Sequence, residues 1–471
     1  MRITLIGGGY VGLVSAACFA DFGHSVVCMD KDCERVAALR RGHLPIYEPG
    51  LDALVAAGTA AGRLRFTDRM ADAVDGSDIV FIAVGTPSRR GDGHADLTHV
   101  EAALHELAPL LRPGMVVATK STVPVGTGDR IAALLARAVP GLSPPVASNP
   151  EFLRQGSAID DFRRPDRVII GVEDDAARQA MASVYRPLSL NQAPILFTGR
   201  RNAELIKYAS NAFLAMKISF INEMADLCDA AGADVQEIAR GLGMDRRIGS
   251  KFLHAGPGYG GSCFPKDTQA LLRTARELGT PLRLVEETAR LNRRRKDGLA
   301  ARVARACGGS VRGRRIALLG LSFKPGTDDM REAPSLPLAR MLRTAGAEVV
   351  ATDPQALANA AHLLPDIQLV TDPYVAARGA DAIVLVTEWN VYRALDLDRL
   401  AAAMRGRVFV DLRNVYADRR PDQHGFLYHG LGKPGRPAIS PLDTPADAVS
   451  LPQPGFARDS MHPKPGMQPT L

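Results

Sequence analysis

Arg2-Ile-Thr-Leu-Ile-Gly-Gly-Gly-Tyr-Val-Gly12 decides the fold of the N-terminal half of this chain. Its apolar start is typical of a buried strand, and the glycine turn that follows leads into an apolar helical segment running through Phe22. A second apolar run begins at Ser25 and ends at Asp30. A strand, a helix and a second strand in this order predict the opening unit of a doubly wound parallel sheet.

The glycines of this stretch have the spacing of a dinucleotide-binding turn. Gly7 would make the tight turn, Gly9 would let the backbone approach a pyrophosphate, and Gly12 would let helix and strand pack closely. Asp30 would accept hydrogen bonds from the ribose hydroxyls and repel a 2′-phosphate. A glycine turn used only for packing would leave the position of Asp30 unexplained. The sequence therefore predicts NAD, rather than NADP, as the cofactor.

Late in the chain, a second set of strands repeats the first. The matching pairs are residues 2–7 with 315–320, 25–30 with 348–353, and 76–84 with 379–387. Further strands are predicted at 79–84, 115–119, 146–148 and 168–171. We therefore expect an α/β fold with two Rossmann-like, doubly wound domains. The turn after Gly320 lacks the three glycines, so no dinucleotide is expected in the second domain.

Between the two sets, residues 204–231 lack Gly and Pro, which predicts a helix of about 40 Å. Its large apolar residues lie close to a helical stripe at Ile206, Phe213, Phe220, Met224 and Leu227. We expect this helix to join the two domains and to pair with a second subunit. The predicted divisions are an NAD-binding domain (1–200), a central helical dimerisation region (201–300), a second Rossmann-like domain (312–430) and a disordered Pro- and Gly-rich tail (431–471).

The net charge of +7 does not by itself predict a nucleic-acid partner. The basic residues are scattered, and the densest run, Arg293 to Lys296, is short and lacks interleaved aromatic residues. We interpret that run as a solvated helix face. The first twenty residues could pass for a signal peptide, but the glycines at 7, 8, 9 and 12 interrupt them, and no uninterrupted apolar run reaches membrane-span length. No membrane partner is expected.

The six cysteines have neither the spacing of a metal site nor that of a disulfide framework. They are Cys18, Cys28, Cys33, Cys228, Cys263 and Cys307. Free thiols in a reducing compartment fit this pattern, so we expect a cytoplasmic protein without a metal. Five of the cysteines are interpreted as inert, and Cys263 is the exception.

Cys263 lies in the most informative stretch, Gly256-Pro-Gly-Tyr-Gly-Gly-Ser-Cys263-Phe-Pro-Lys-Asp267, which leads into a helical pattern from Thr268. Dense glycines let a ligand touch the backbone, and Pro265 suits the first turn of a helix. The helix start and Lys266 would both favour the thiolate, which is the nucleophilic form. The sequence therefore predicts a reactive thiol.

Other candidate residues flank this thiol in the predicted fold. Lys207 and Asn211 share one face of the long helix and could hold an oxyanion, although on their own they are better interpreted as a lysine lying along an apolar surface beside a capping-type amide. Glu151 follows a predicted strand and could activate water. Lys324 and Arg331 follow a strand of the second domain and could meet a phosphate or a cofactor, the alternative being two solvated charges.

Over roughly residues 1–430 these motifs resemble the nucleotide-sugar 6-dehydrogenase family, and within it the UDP-glucose branch, which Tyr259, Phe264 and Pro265 fit best. The matching strings are Gly9-Tyr-Val-Gly12, Val84-Gly-Thr-Pro87, Lys120-Ser-Thr-Val-Pro124, Asn149-Pro-Glu-Phe-Leu-Arg154, Glu204-Leu-Ile-Lys-Tyr208, Gly258-Tyr-Gly-Gly-Ser-Cys-Phe-Pro-Lys-Asp267, Phe323-Lys-Pro325 and Asp328-Asp-Met-Arg331. The resemblance implies two successive hydride transfers to NAD from UDP-glucose. It also implies a thiohemiacetal and then a thioester on Cys263, hydrolysis of the thioester, a UDP-sugar site in the 312–430 domain, and a homodimer.

The resemblance further implies roles for individual residues. Lys207 and Asn211 would stabilise the oxyanion, Asp267 would assist proton transfer, Thr122 would orient a water, and Glu151 would help hydrolysis. The NAD contacts would be Gly7, Gly9, Val11, Gly12, Asp30, Arg35, Thr86, Thr122, Gln155, Lys266 and Arg331. The sugar-nucleotide contacts would be Glu151, Phe152, Leu153, Arg154, Lys207, Asn211, Phe252, Leu253, His254, Ala255, Gly256, Tyr259, Gly260, Lys324 and Arg413, with Arg247 reaching the substrate of a partner subunit.

One position departs from the family pattern. The family commonly has glutamate where this chain has Gln155, so either Glu151 acts as the only base or hydrolysis is slowed. Replacement of Gln155 by glutamate is then expected to change the steady-state rate mainly through hydrolysis. Two alternatives remain open, namely a GDP-mannose 6-dehydrogenase and a catalytically silent nucleotide-sugar-binding protein on the same scaffold.

Overall fold

The eight-stranded sheet of the N-terminal domain has β1 at an interior position. The glycine turn of residues 7–12 follows β1, and we call it the cofactor turn. The computed structural model describes residues 1–89 and 93–433. The strands of this sheet are β1 (Arg2–Ile6), β2 (Ser25–Met29), β3 (Leu64–Thr67), β4 (Ile79–Ile82), β5 (Val116–Thr119), β6 (Val146–Ser148), β7 (Val168–Val172) and β8 (Ile195–Thr198). Their order is β3-β2-β1-β4-β5-β6-β7-β8, and only β6 and β7 pair antiparallel. The residues that could pass for a signal peptide form β1 and the helix after it.

Helices cover both faces of this sheet, which explains why its strands are apolar throughout. All four residues of β4 are fully buried. The helices of the domain are α1 (Tyr10–Asp21), α2 (Cys33–Arg40), α3 (Leu51–Ala60), α4 (Met70–Val74), α5 (Thr98–Leu107), α6 (Thr127–Ala138), α7 (Ala158–Arg163) and α8 (Asp175–Val184). The carboxyl ends of β1, β4, β5 and β6 therefore meet at one edge, where ligands bind in open α/β sheets.

The central region is helical and is organised around one long helix. Its helices are α9 (Arg200–Ala231), α10 (Val235–Met244), α11 (Phe264–Glu277), α12 (Arg283–Asp297) and α13 (Leu299–Ala306). The long helix α9 starts four residues before the predicted position and ends at Gly232, whose φ of 70° suits a glycine. Contacts of α9 with α11 and α12 bring the helix that follows Cys263 against the face of α9 that carries Lys207.

The buried face of α9 is not the one that its large apolar residues mark. Glu204, Lys207, Asn211 and several alanines are buried, whereas Phe213 and Leu227 are each 59% exposed. The polar groups lie on the interior face together with the buried side chains of Tyr208 and Ile221, while Phe213 and Leu227 of the predicted stripe face outward. Buried polar groups and exposed large apolar ones both depart from the usual pattern, so both faces are candidates for function.

The second sheet repeats the Rossmann-like arrangement with six parallel strands. They are β9 (Arg315–Leu319), β10 (Glu348–Thr352), β11 (Gln368–Leu369), β12 (Ala382–Leu385), β13 (Val408–Asp411) and β14 (Leu427–His429), in the order β11-β10-β9-β12-β13-β14. Its helices are α14 (Ser335–Thr344), α15 (Leu357–Leu363), α16 (Pro373–Ala377), α17 (Asn390–Arg393) and α18 (Leu397–Ala403). The predicted fold class, with two parallel-sheet domains and a long central helix, is thus confirmed.

Two local expectations are corrected by the structure. Arg295 and Lys296 do not lie on a solvated helix face, because Arg295 pairs with Asp226 and Lys296 Nζ lies 3.1 Å from Glu332 Oε2, with both basic side chains largely buried. The expected tail also starts too early. Leu431 is fully buried, and the carbonyl of Gly432 accepts a hydrogen bond from Val235 N at 2.8 Å. The rest of the predicted tail, from residue 434, lies outside the described residues.

Within the described part of the chain, no helix is both long and apolar enough to cross a membrane.

Candidate active site

The glycine turn after β1 has the geometry of a phosphate cradle. A side-chain carbon on Gly12 would lie 1.7 Å from the carbonyl oxygen of Gly7, and one on Gly7 would lie 2.7 Å from the carbonyl oxygen of Ala83. Close packing therefore requires glycine at both positions. A side-chain carbon on Gly9 would meet no protein atom within 4 Å, which leaves its backbone open to a ligand. These residues fit a dinucleotide pyrophosphate.

Asp30 stands at the end of β2, where the ribose of a dinucleotide is expected. Its carboxylate accepts hydrogen bonds from Gly8 N at 2.7 Å and from Arg35 Nη1 at 2.9 Å. Two of the predicted cofactor contacts are therefore paired with each other. Thr86 Oγ1 donates to the carbonyl of Thr122 at 2.8 Å, which joins the loops after β4 and β5 at the same edge of the sheet. Val11 is half-buried in the first turn of α1.

Four of the predicted catalytic residues meet in two buried pairs. Lys207 Nζ lies 3.5 Å from Glu151 Oε1, and both side chains are almost fully buried. Asn211 Nδ2 donates to Asp267 Oδ2 at 2.6 Å. The i, i+4 spacing on α9 thus places an ammonium and an amide side by side, as the sequence predicts. Their carboxylate partners come from the loop after β6 and from the first turn of α11.

Cys263 is the residue that precedes α11, and it is half-buried. Burial raises the pKa of the Cys263 thiol, and the carboxylates of Glu151 and Asp267 raise it further, while Lys207 acts in the opposite direction. The expected cation is therefore wrong: Lys266 Nζ donates to Asp267 at 2.6 Å, and Lys207 is the cation that favours the thiolate. In this state of the protein the thiol is held mainly neutral.

The neighbouring carboxylates keep Lys207 charged. Burial alone would lower the pKa of Lys207, but attraction to Glu151, Cys263 and Asp267 outweighs it and raises that pKa. The Nζ atom also lies 5.1 Å from the centre of the Phe152 ring. A charged donor in a water-poor site is the arrangement that stabilises a developing oxyanion. The surface-lysine alternative is excluded by this burial.

The predicted sugar-nucleotide loop, residues 252–260, lies between the central region and the second domain. A side-chain carbon on Gly256 would lie 3.1 Å from Arg413 Nη1, and one on Gly260 would lie 2.4 Å from the carbonyl oxygen of Glu332. Phe252 has a φ of 67°, which is rare for a residue with a side chain. The predicted contacts in this loop differ in exposure, since Ala255 and Tyr259 are buried and His254 is exposed. The loop thus has a fixed, unusual backbone.

The side chain of Leu253 packs in the core of the second domain, so only its backbone can face a ligand. Two residues that the sequence analysis missed hold this loop. Asn222 Oδ1 accepts from Gly256 N, and Asn292 exchanges two hydrogen bonds with the backbone of Tyr259. The sequence signal that could have identified them is an asparagine in the middle of a helix, because a buried amide side chain needs hydrogen-bond partners.

The turn of the second domain that corresponds to the cofactor turn is held by a buried carboxylate. Asp353 Oδ2 accepts hydrogen bonds from the backbone of Leu321 and Ser322 and from Trp389 Nε1. Asp30 accepts the matching bond from Gly8 N in the first domain, so the two turns share this pairing. They differ in that Leu321 and Ser322 replace two glycines, and the expectation that no dinucleotide binds here stays a prediction.

Lys324 and Arg331 follow this turn, as predicted. Lys324 is half-buried, and burial lowers its pKa. Arg331 forms a two-pronged ion pair with Asp329, with contacts of 2.6 and 2.9 Å. Arg154, another predicted contact, pairs with Asp161 at 2.6 Å. Arg247 is exposed and pairs with Asp245, so its expected reach to a partner subunit stays a prediction.

The Gln155 side chain contacts the second domain, and its expected effect on hydrolysis stays a prediction. Its Nε2 donates to Asp329 Oδ2 of the second domain at 3.0 Å, and its buried Oε1 has no hydrogen-bond partner. Glu151 is held by the backbone of Leu153, whose N donates to its Oε2 at 2.5 Å. Glu151 is therefore the carboxylate that faces Lys207, and Gln155 joins two domains.

Lys120 is a buried cation that the sequence analysis did not assign. Its Nζ donates to Asn149 Oδ1 at 3.2 Å and to the Tyr185 hydroxyl at 3.1 Å. Burial lowers its pKa to about 8, and Lys207 acts in the same direction, whereas Glu151 and Cys18 act against it. Lys120 links the ends of β5 and β6, the strands that lead to Thr122 and Glu151. Among the described residues, no group of three or more His, Cys, Asp or Glu side chains could hold a metal ion.

Comparison with known proteins places this site in a family. Three sequence profiles of the UDP-glucose/GDP-mannose dehydrogenase family match the chain: the NAD binding domain over residues 1–189, the central domain over 201–294 and the UDP binding domain over 317–418. A UDP-glucose 6-dehydrogenase of Rhizobium meliloti is 58% identical over 92% of this chain and 100% of its own length. Another from Pseudomonas aeruginosa is 49% identical over 92% of this chain and 98% of its own.

A solved structure agrees with these matches. The UDP-glucose dehydrogenase of Pyrobaculum islandicum superimposes with a TM-score of 0.84 at 40% identity, over 92% of this chain and 98% of that one. Its match spans both sheets and the central region together. With the cofactor turn, the buried lysine and asparagine of α9 and the thiol before α11 all present, this chain belongs to the UDP-glucose/GDP-mannose dehydrogenase family.

Proposed function

We propose that this chain oxidises the primary alcohol of UDP-glucose to a carboxylate, with NAD as the hydride acceptor in two successive oxidations. The observation that carries the proposal is the convergence of Cys263, Lys207 and Glu151 at one buried site beside the cofactor turn. The full-length similarity to two UDP-glucose 6-dehydrogenases supports the choice of sugar nucleotide. The overall reaction consumes one water and releases UDP-glucuronate.

The residues of the site divide the chemistry between them. Lys207 and Asn211 stabilise the oxyanion that forms when the substrate alcohol loses its proton, and Asp267, which contacts Asn211 and Lys266, receives and relays that proton. Loss of a hydride from the alkoxide carbon, for which bound NAD would be the acceptor, gives the aldehyde. The Cys263 sulfur then adds to the aldehyde carbon, and its proton passes to the aldehyde oxygen, giving a thiohemiacetal. Loss of the hydroxyl proton and of a second hydride from that carbon, for which a second NAD would be the acceptor, leaves a thioester.

Hydrolysis completes the reaction. A water, oriented by Thr122 and activated by Glu151, attacks the thioester carbon, and the Cys263 sulfur leaves and regains a proton. The ion pair between Glu151 and Lys207 supports this role, since it keeps a charged donor next to the carbonyl that water attacks. Neutral Cys263 in the resting protein fits the same scheme, because Lys207 can stabilise the thiolate once the thiol is deprotonated.

Replacement of Cys263 by serine tests the covalent step. Purified wild-type protein is expected to form two NADH per UDP-glucose, with little turnover of GDP-mannose or UDP-N-acetyl sugars in parallel assays. Cys263→Ser should abolish net formation of UDP-glucuronate while still binding UDP-glucose. Undiminished acid formation by the variant, or a clear preference of the wild-type protein for GDP-mannose, would contradict the proposal.

We also infer a homodimer that forms through α9. Phe213, Phe220 and Leu227 recur every seven residues on the outer face of this helix and are 59%, 46% and 59% exposed. Leu284 of the neighbouring α12 is 75% exposed. An apolar stripe of this length on a central helix suits burial against a second copy. Phe213→Glu combined with Phe220→Glu should give a monomer by light scattering, and an unchanged dimer would refute this assignment.

A cytoplasmic location is inferred from the thiols. All six cysteines are unpaired in the structure, and reactive Cys263 requires a reduced environment. Cell fractionation followed by immunoblotting tests this inference, and recovery of the protein outside the cytoplasm would overturn it.

A further inference from the structure

Glu48 is a buried carboxylate for which the proposed chemistry has no use. It lies in the sequence Pro45-Ile-Tyr-Glu48-Pro-Gly50, between α2 and α3, and is 5% exposed. A buried carboxylate is costly unless its oxygens receive hydrogen bonds. The partners of Glu48 therefore indicate what the residue is for.

Three donors form hydrogen bonds to the Glu48 carboxylate, and they come from two separate parts of the site. Gly156 N donates to Oε2 at 2.6 Å and Ala158 N donates to Oε1 at 2.7 Å. The hydroxyl of Tyr10, in the cofactor turn, donates to Oε2 at 2.5 Å. Hydrogen bonds to an ionised acceptor are about twice as strong as those between neutral groups. Glu48 thus ties the cofactor turn to the end of the loop that carries Glu151.

The opposite side of this loop is held by the second domain. A side-chain carbon on Gly156 would lie 2.8 Å from the carbonyl oxygen of Gly326, and Gly156 has a φ of 80°. Gln155 donates to Asp329 at 3.0 Å. Glu48 on one side and residues 326–329 on the other therefore fix the chain at positions 155 and 156. Only three residues, 152–154, lie between Glu151 and this fixed point.

We propose that Glu48 is a positioning residue, which sets the loop of residues 151–158 so that Glu151 meets Lys207 and Cys263. Without this carboxylate, two backbone N–H groups lose their acceptor, and the tie between the cofactor turn and positions 156 and 158 is lost. The contacts of Arg154 with Asp161 and of Gln155 with Asp329 are left to hold the loop. The Glu151 carboxylate then no longer keeps its distance of 3.5 Å from the ammonium of Lys207. The inference rests on the proposed function only for the identity of the sugar nucleotide.

Glu48→Gln is the decisive variant, since it keeps the size of the side chain but turns one acceptor oxygen into a donor. Hydrogen–deuterium exchange should become at least tenfold faster at the amides of Gly156 and Ala158. The kcat/KM for UDP-glucose should fall at least tenfold, while the Kd for NAD changes less than threefold. Glu237→Gln, at an exposed position of α10, is the matched control and should alter neither measurement.

Tyr10→Phe separates the two halves of the contact. It removes the hydroxyl and leaves both backbone donors on Glu48, so exchange at positions 156 and 158 should match that of the wild-type protein. If Glu48→Gln does not fold, Glu48→Asp retains the charge with a reach shorter by one carbon, and the same measurements apply to it.

Two results would overturn the proposal. One is unchanged exchange at Gly156 and Ala158 in the Glu48 variant, and the other is faster exchange with an unchanged kcat/KM. The exchange experiment needs no substrate, so a wild-type protein that fails to oxidise UDP-glucose would refute the proposed substrate while the contacts of Glu48 are still judged directly.

Discussion

Replacement of Gln155 by glutamate should weaken the contact between the two Rossmann-like domains in a pH-dependent way. In the wild-type protein Gln155 donates to Asp329, whose pKa is held low by Arg331 even though burial acts to raise it. The introduced carboxyl would place a second acid oxygen about 3 Å from Asp329. Because Asp329 stays ionised, the introduced group takes the proton, and its pKa rises above the unfolded value of about 4.3.

The size of the effect follows from two contributions. The hydrogen bond to an ionised acceptor is worth about 1.5–3 kcal/mol. Two charges at about 3 Å repel by roughly 5 kcal/mol at an effective dielectric constant of 20, and Arg331 and solvent offset most of this. We therefore expect a net loss of about 2–3 kcal/mol when the introduced group is ionised. For a domain of this size that corresponds to a fall in Tm of roughly 5–10 °C.

The direction of the pKa shift of the introduced carboxyl determines the pH values at which stability should be measured. A protonated carboxyl can still donate to Asp329, so the Tm of the variant should lie near that of the wild-type protein at pH 5.5. Stability is lost as the pH rises through the raised pKa, and the full deficit should be present at pH 8.5. Thermal unfolding followed by fluorescence at both values gives the difference, with Gln155→Leu as the control that lacks a titrating group.

A double-variant cycle identifies the partner. If Asp329 is the group that repels the introduced carboxyl, Gln155→Glu and Asp329→Asn should show favourable coupling at pH 8.5, because the new amide can donate to the new acid. A Tm deficit that is equal at both pH values, together with zero coupling, would refute the reasoning. A defect confined to thioester decay would instead restore the hydrolytic role expected from the sequence.

Three further predictions concern other parts of the structure. Gly12→Ala should lower both Tm and NAD affinity, because its new carbon would meet a backbone oxygen. Gly9→Ala should weaken NAD binding, measured by calorimetry, without a change in Tm. Equal losses of Tm in the two variants would contradict this prediction. Burial lowers the pKa of Lys120 to about 8, so the free energy of unfolding of the wild-type protein should rise by up to about 3 kcal/mol as the pH rises from 8 to 10.4. In denaturant titrations Lys120→Met should remove this increase. Asn211→Leu removes one of the two side-chain donors to Asp267, so kcat should fall about 10- to 100-fold with little change in the KM for NAD. An unchanged kcat in steady-state kinetics would contradict this prediction.

The features that could be predicted from the sequence are those formed by residues close to one another along the chain. The cofactor turn and Asp30 belong to one βαβ unit, and the i, i+4 pair on α9 follows from helix geometry alone. The repeat of the first strands late in the chain was enough to predict the second domain. In each case the contacting residues lie close in sequence, or in segments whose pattern is repeated.

What the sequence did not predict depends on contacts between distant segments. Gln155 and Asp329 are 174 residues apart, and Glu48 lies 108 residues from Gly156. Lys207 rather than Lys266 acts on Cys263, because packing of α11 against α9 brings Lys207 to the thiol while the Lys266 ammonium pairs with Asp267. Short strands such as β11, with two residues, are too brief for alternation to be recognised.

The absence of the glycine pattern from the turn of the second domain has a consequence for the order of events during catalysis. That turn has Leu321 and Ser322 where the first domain has Gly8 and Gly9, so among the described residues the glycine turn with an open backbone is the one at Gly7 to Gly12. Two oxidations per sugar must then share a single docking position, and the spent cofactor has to be exchanged between them. A half-oxidised sugar that was free to diffuse would escape during that exchange. On the proposed mechanism, the bond to Cys263 would retain the sugar between the two oxidations, and loss of this thiol should lower processivity as well as rate.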